Sequence, residues 1–408
     1  MPFQKTIYRL KISKAVLLSI TTITNVFAWF NYATSILIDE MSMASFAYHE
    51  ELMICVIGIC GAIFSMFIGI YLVNSYVTRK AFFLIWVMLG IFTSYTFAFL
   101  EPTIQNLLVI IFGVNFSFCL GIPVSLAYFA ESTVEENRGR IASITLIIMF
   151  LTAYLLGIAK SNDTMLNSLV LMGWRSLGLI ILLLGEEFTQ DMKKTNPLMV
   201  SIISERAFAL YIIPWAMFSM VNYLGWPLLA KIHGEDFTNF CASMGNIVAA
   251  ISSIMAGYAS DRIGRKRTLM IGFIIFGLGY AVVGIFPFNN LAWYFYMIVD
   301  GIAWGIIWVI FWFVIWGDLA HGKRSEKYYA LGFLPYLVSS FLRVTVGKII
   351  PNILSEYAVF SFSAFFLFLA VIPLMFAPET LPEKTIKERE LKNYIEKAKK
   401  AREKFTKG

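Results

Sequence analysis

Twelve apolar runs of 19–27 residues occupy 271 of the 408 residues in this chain. They fall at 15–38, 52–73, 81–100, 104–130, 141–160, 165–185, 208–230, 237–259, 268–286, 291–317, 328–350 and 355–376. A helix needs roughly 17–25 mostly apolar residues to cross the hydrocarbon core of a bilayer, so each run has the length of one crossing. The runs are rich in Leu, Ile and Phe without strict apolar–polar alternation, which disfavours barrel strands. In lipid the backbone must satisfy its own polar groups, which leaves helices. The sequence therefore predicts an all-α integral membrane protein of twelve transmembrane helices. Composition agrees: 59% of residues are hydrophobic and 14% charged, against about 25% charged in soluble domains. That is too little polar surface to cover a water-facing body, and it argues against disordered, fibrous, disulfide-scaffold and soluble-enzyme classes. The sixth run is the least regular, because Arg175 falls in its middle and a start near Trp174 would leave it short.

Lys and Arg set the orientation. Twelve crossings put both termini on one side. If the termini and the loops after even-numbered crossings share the cytoplasm, that side holds 28 of the 33 Lys and Arg residues. The sequence thus predicts cytoplasmic termini in a cell membrane. The net charge of +7 sits in short loops and one tail, which does not read as a nucleic-acid surface. Cys55, Cys60, Cys119 and Cys241 lie in apolar stretches with neither metal nor disulfide spacing and read as small apolar filler. No metal site or cofactor is expected. The first run is too long for a cleavable signal. The longest loop divides the chain into a six-helix unit at 1–185, a cytoplasmic linker at 186–207, a second six-helix unit at 208–376 and a basic tail at 377–408. Glu131 to Asp318 and Asn74 to Asp261 share an offset of 187, which fits a duplicated unit. In the tail, Leu391, Tyr394, Ile395, Ala398, Arg402 and Phe405 are at helical spacing, fitting either a helix on an anionic leaflet or a solvated one.

Three motifs are more specific than charge alone. The eighth run leads into Gly257-Tyr-Ala-Ser-Asp261-Arg262-Ile-Gly264-Arg265-Lys266-Arg267. Gly257 permits close helix approach, Gly264 a tight reversal, and Asp261 can face the positive end of a neighbouring helix. Tyr128-Phe-Ala-Glu131, six residues, then Arg138-Gly139-Arg140 follows the fourth run, and Pro378-Glu379-Thr380 follows the twelfth. The first string resembles the signature loop of the major facilitator superfamily. The second and third are similar to elements of its sugar-porter-like branch of metabolite:proton symporters. The first-half counterpart, Asn74-Ser-Tyr-Val-Thr-Arg79-Lys80, keeps basic residues but lacks the acid and the glycine.

The resemblance implies two six-helix bundles that rock about a central site. It also implies a cytoplasmic set of ion pairs among Glu131, Arg138, Arg140, Arg262, Arg265, Asp318 and Glu379 that ties the halves together. Gly257, Asp261, Gly264, Lys266 and Gly139 complete that loop machinery. Such pairs are expected to be half exposed and worth about 0–1 kcal/mol each.

Within the crossings, Asp300 lies about 13 Å below the outer end of the tenth run, and Arg343 lies at about 10 Å in the eleventh. An ionised carboxylate so deep must be paired, protonated or wet, and intramembrane ionisable residues mark functional sites by default. Arg343 is the expected partner. The resemblance puts the first, fourth, seventh and tenth helices around the cavity. Asn31, Asn115 and Asn222 on those helices, with Trp304 near Asp300, complete the expected substrate or proton site. Asn31 stands where many such symporters have a titratable acid, so Asp300 is the remaining proton carrier. Trp304, Trp308, Trp312 and Trp316 recur every four residues and read mainly as a lipid-facing or interfacial stripe, with Trp304 kept for the cavity. Arg175 reads as an outer flank.

The function expected is secondary transport of a small organic solute by alternating access, with proton-coupled symport favoured and a monomer as the working unit. A phosphate-binding loop is absent, so ATP is not the direct driver. The alternatives are a transporter-shaped sensor or scaffold, favoured by the altered first-half loop, and a drug or metabolite exporter. The glutamine- and asparagine-rich elements of hexose carriers are missing, so no sugar is assigned.

Overall fold

The computed structural model describes residues 12–44, 46–185, 195–222 and 225–381. The tail helix expected over 385–405 lies outside the described residues. Twelve long helical segments follow in order. The first half contains α1 (Lys14–Ala44), α2 (Tyr48–Ser75), α3 (Arg79–Thr96), α4 (Ile104–Ser132), α5 (Arg138–Gly157) and α6 (Thr164–Leu184). The second contains α7 (Arg206–Asn222), α8 (Glu235–Ile263), α9 (Arg265–Ile285), α10 (Asn290–Leu319), α11 (Glu326–Ile353) and α12 (Glu356–Phe376). Ten of these are long and apolar enough to cross a membrane among the described residues, and α7 is a shorter apolar helix.

Local chemistry sets the ends. Asp163 caps α6 by accepting from Met165 N–H at 2.9 Å, and Asn289 caps α10 by accepting from Leu291 N–H at 2.9 Å. Gly264 turns the chain between α8 and α9 at φ +110°, a conformation open to glycine at little cost. In the seventh crossing the described residues are helical over Arg206–Asn222 and again over Gly225–His233. The start of α6 at Thr164 leaves Arg175 near its centre, not at a late-starting outer end. The tenth helix is α-helical to Ile307, π-helical over Trp308–Val314 and α-helical again to Leu319.

The duplication is plain in the packing. Within the first half α2 packs on α4 and α3 on α6; within the second α8 packs on α10 and α9 on α12. Between halves α5 packs on α8 and α2 on α11, the same relation applied twice. The fold is thus two six-helix bundles in one membrane-spanning body, meeting along two equivalent helix pairs.

Candidate functional site

On the side of the basic loops, the seam between halves holds a layer of buried ion pairs. Asp261, at the end of α8, accepts from Gly139 N–H and Arg140 N–H, both at 2.9 Å, at the N-terminus of α5 in the other half. Exposed helix N–H groups and the dipole favour a carboxylate there. The same carboxylate pairs with Arg140 Nε at 3.2 Å and Arg265 Nη1 at 2.8 Å. This approach requires glycine on both helices: a Cβ on Gly257 would lie 2.4 Å from Gly139 O.

Asp318, at the foot of α10, receives Arg138 Nη1 from the other half, and Arg265 Nε at 3.2 Å and Thr380 Oγ1 at 3.1 Å from its own. Arg79, at the start of α3, donates to Glu131 at 2.6 Å and, across the seam, to Glu326 on the first turn of α11 at 2.9 Å. Glu326 stands 187 residues after Gly139, so the two seams are related, but with charges exchanged. In one, the loop supplies an acid to a helix start; in the other, the loop supplies a cation to an acid on the helix start.

The sequence led to the expectation of half-exposed pairs, but the central ones are buried. Glu326, Asp318 and Arg265 are fully buried, and Arg79 side-chain exposure is 1%. Removing one partner of such a pair costs about 3–5 kcal/mol, because the other charge is left stranded.

Three residues expected in this set do something else. Arg262 is exposed and lies over the Tyr258 ring at 4.6 Å, outside the ion-pair layer, because the turn at Gly264 directs Arg265 inward instead. Glu379 accepts from Arg265 N–H at 2.7 Å and Lys266 N–H at 3.2 Å, so it caps α9. Lys266 Nζ in turn donates to Met375 O and Ala377 O at the end of α12. Glu379 and Lys266 therefore bind α9 to α12 within one half. A loop tie completes this side: Lys323 Nζ meets Glu205 at 2.7 Å, and that carboxylate holds the Lys323 pKa above the usual lysine value.

Mid-protein, the halves meet through aromatic rings. Phe27 of α1 and Phe150 of α5 contact Trp312 at 6.2 Å and Trp308 at 4.8 Å, respectively. Trp312 also packs on Phe333 and Tyr336 of α11, and Trp304 on Phe218 of α7. The tryptophan stripe therefore faces protein at the seam, not lipid, because the π-helical stretch buries Val309–Val314 throughout. Asn31, one turn above Phe27 on the same face of α1, is exposed, and its Nδ2 donates to Phe27 O at 3.0 Å. Asn115 Nδ2 donates to Ile111 O at 2.9 Å. The seam is thus closed below the aromatic layer, while the Asn31 face above it is accessible.

Asp300 is 5% exposed, with the Tyr296 hydroxyl donating at 3.5 Å, Gly245 of α8 alongside, and Trp304 one turn on. Among the described residues no cation pairs with it. The Arg343 and Asn222 side chains lie outside the described residues.

Arg175, expected as an outer flank, is instead buried in the first half. Its Nη1 donates to Asn25 Oδ1 at 2.9 Å, and it lies 5.4 Å from both the Trp29 and Trp86 rings. The indole faces supply the attraction that a carboxylate would otherwise give. Glu326 is the site residue that sequence reasoning did not name; Arg79 entered only as part of the altered first-half loop, and Trp308 and Trp312 only as a lipid-facing or interfacial stripe. The 187-residue offset that relates Glu131 to Asp318 also leads to Glu326.

This architecture defines a multi-pass membrane protein of two equivalent six-helix halves with a charged clasp on one face. Its fold is that of the major facilitator superfamily, whose family model matches residues 207–406. No curated protein matches the chain in sequence. Among solved structures, the proton:xylose symporter XylE, bound to 6-bromo-6-deoxy-D-glucose, is similar at TM-score 0.66 and 14% identity, over 90% of this chain and 96% of that one. The human organic anion transporter MFSD10 is similar at TM-score 0.69 and 10% identity, over 88% and 99%. The E. coli fucose:proton symporter FucP is similar at TM-score 0.70 and 11% identity, over 89% and 98%.

Proposed function

We propose that this chain is a secondary transporter that moves a small organic solute across a cell membrane by alternating access. The observation that carries the reading is the asymmetry of the seam. Two pseudo-equivalent clasps are fully made on the basic-loop side, and Asn31 is accessible on the opposing face. Basic loops belong in the cytoplasm, which makes this the state closed to the inside. The units 1–185 and 208–376 act as the rocking bodies, with 186–207 as the cytoplasmic linker. Opening inward exchanges the buried pairs Arg79–Glu326, Arg138–Asp318 and Arg140–Asp261 for water. A solute and a proton then need only bind the two states differently to drive the exchange.

Asp300 is our candidate for the proton site, in a sugar-porter-like symport scheme. It is a buried carboxylate on α10, close to the aromatic layer through Trp304. Asn31 and Asn115 are kept as cavity residues, and Arg343 and Asn222 as candidates from sequence. The altered first-half loop no longer favours a non-transporting sensor, since Arg79 bridges the halves from that loop.

The test is uptake into proteoliposomes under an imposed pH gradient, with wild type compared with Asp300→Asn across a panel of organic solutes. The variant should exchange solute but lose acceleration by the gradient. An unchanged gradient response removes Asp300 from coupling, and failure of the wild type to move any solute removes transport.

A further inference from the structure

Tryptophan is a donor with no acceptor atom, and a buried indole N–H normally finds a partner. This chain obeys that rule repeatedly. Trp29 donates to Ser94 Oγ at 2.7 Å, Trp86 to Ser117 O at 2.6 Å and Trp174 to Asn25 O at 2.8 Å. Trp215 donates to Gly332 O and Trp293 to Pro287 O, both at 2.7 Å. Trp308 and Trp312 depart from it: the Nε1 atom of each is buried with no hydrogen-bond acceptor among the described residues. Trp312 is 7% exposed. An unmade buried donor carries a desolvation penalty that folded proteins seldom tolerate without a use.

Position gives the use. Both indoles lie in the π-helical stretch of α10, a conformation concentrated at functional sites. Their surroundings come from both halves: Phe27 and Phe150 from the first, Phe333 and Tyr336 from the second. A molecule held here would touch both rocking bodies. The walls offer ring faces and two free donors. Asn31 and Asn115 each commit one amide N–H to their own helix.

We propose that the layer around Trp308 and Trp312 binds a flat, largely apolar organic solute through acceptor atoms, a carboxylate or carbonyl above all. A sugar fits less well, because each hydroxyl is a donor as well as an acceptor and, of the ring walls, only the Tyr336 hydroxyl can accept. This substrate class rests on the transport reading above, since it places the solute at the seam that transport must open.

The full-length protein in nanodiscs is titrated with phenylacetate, 2-phenylethylammonium and D-glucose, following tryptophan fluorescence and binding heat. Trp308→Phe and Trp312→Phe keep a ring while deleting the donor. Phenylacetate should bind best, and each variant should weaken it about tenfold, the value of one hydrogen bond to a charged acceptor. The ligand-free variants lose no protein hydrogen bond, and relief of the unmade donor acts on the melting temperature against the cavity left by the smaller ring, so affinity and not melting is the readout. Preference for glucose or the ammonium probe, absence of phenylacetate binding, or affinity unchanged in both variants overturns the proposal. If phenylacetate binds with this tryptophan dependence but proteoliposomes take up neither it nor any other solute of the panel, the transport reading fails and the binding site stands.

Discussion

Glu326→Gln tests the clasp with the least collateral damage. Glu326 Oε1 accepts from Arg79 Nη2 at 2.9 Å across the seam, and its Oε2 has no hydrogen-bond partner among the described residues, so the new amide nitrogen meets no donor there. Arg79 keeps Glu131 at 2.6 Å and is not stranded. The loss is therefore the difference between a charge-assisted and a neutral hydrogen bond, about 1–2 kcal/mol, and not the 3–5 kcal/mol of a broken buried pair. At 1.4 kcal/mol per factor of ten, the inward-open population should rise roughly 5- to 30-fold. Ser143 is a suitable reporter, since it is buried on α5 where Gly257 of α8 approaches. Ser143→Cys, in a background without the four native cysteines, would be labelled by a maleimide from the basic-loop side of proteoliposomes. Labelling should accelerate by the same factor. An unchanged rate would refute the argument that this pair holds the halves together.

Other outcomes follow from the same geometry. Gly257→Ala places a methyl 2.4 Å from Gly139 O across the seam; at about 1–3 kcal/mol of overpacking it should also speed Ser143→Cys labelling. Gly69→Ala places one 1.9 Å from Leu120 O inside the first half, so it should lower the melting temperature without favouring inward opening. The raised Lys323 pKa makes its tie to Glu205 contribute below the ordinary lysine value and vanish as pH rises through the higher folded value. Lys323→Met should therefore show a small melting offset that is flat across neutral pH and disappears only in strongly alkaline buffer. Glu131→Gln, which loosens Arg79 within its own half, should shift labelling less than Glu326→Gln.

Much of the fold was legible in the sequence because lipid imposes a length and polarity test on every crossing. The runs at 104–130, 268–286 and 355–376 reappear as α4, α9 and α12 within a few residues. The reversal at Gly264 and the role of Asp261 at a helix start were legible for a local reason: a short loop leaves few conformations, and a carboxylate beside a helix start has few better partners. Arg175 and the tryptophan stripe were misread because hydropathy does not distinguish lipid from a protein interior. An indole facing acyl chains and one facing Phe27 have the same sequence signature. Arg262 and Arg265 were indistinguishable by charge, and only the direction of the turn separates the exposed one from the buried one.

The sequence by itself determined that the chain is an all-helical membrane body, that it divides into two related groups of six, and which side its charges prefer. Those properties follow from solvation, which acts on each segment separately. The tertiary structure alone decided which charges meet: Arg79 with Glu326, and Asp318 with arginines from both halves. It also decided that two indole donors end at the seam without partners among the described residues. Such pairings depend on helices hundreds of residues apart arriving side by side, and no local property of either strand of sequence carries that information.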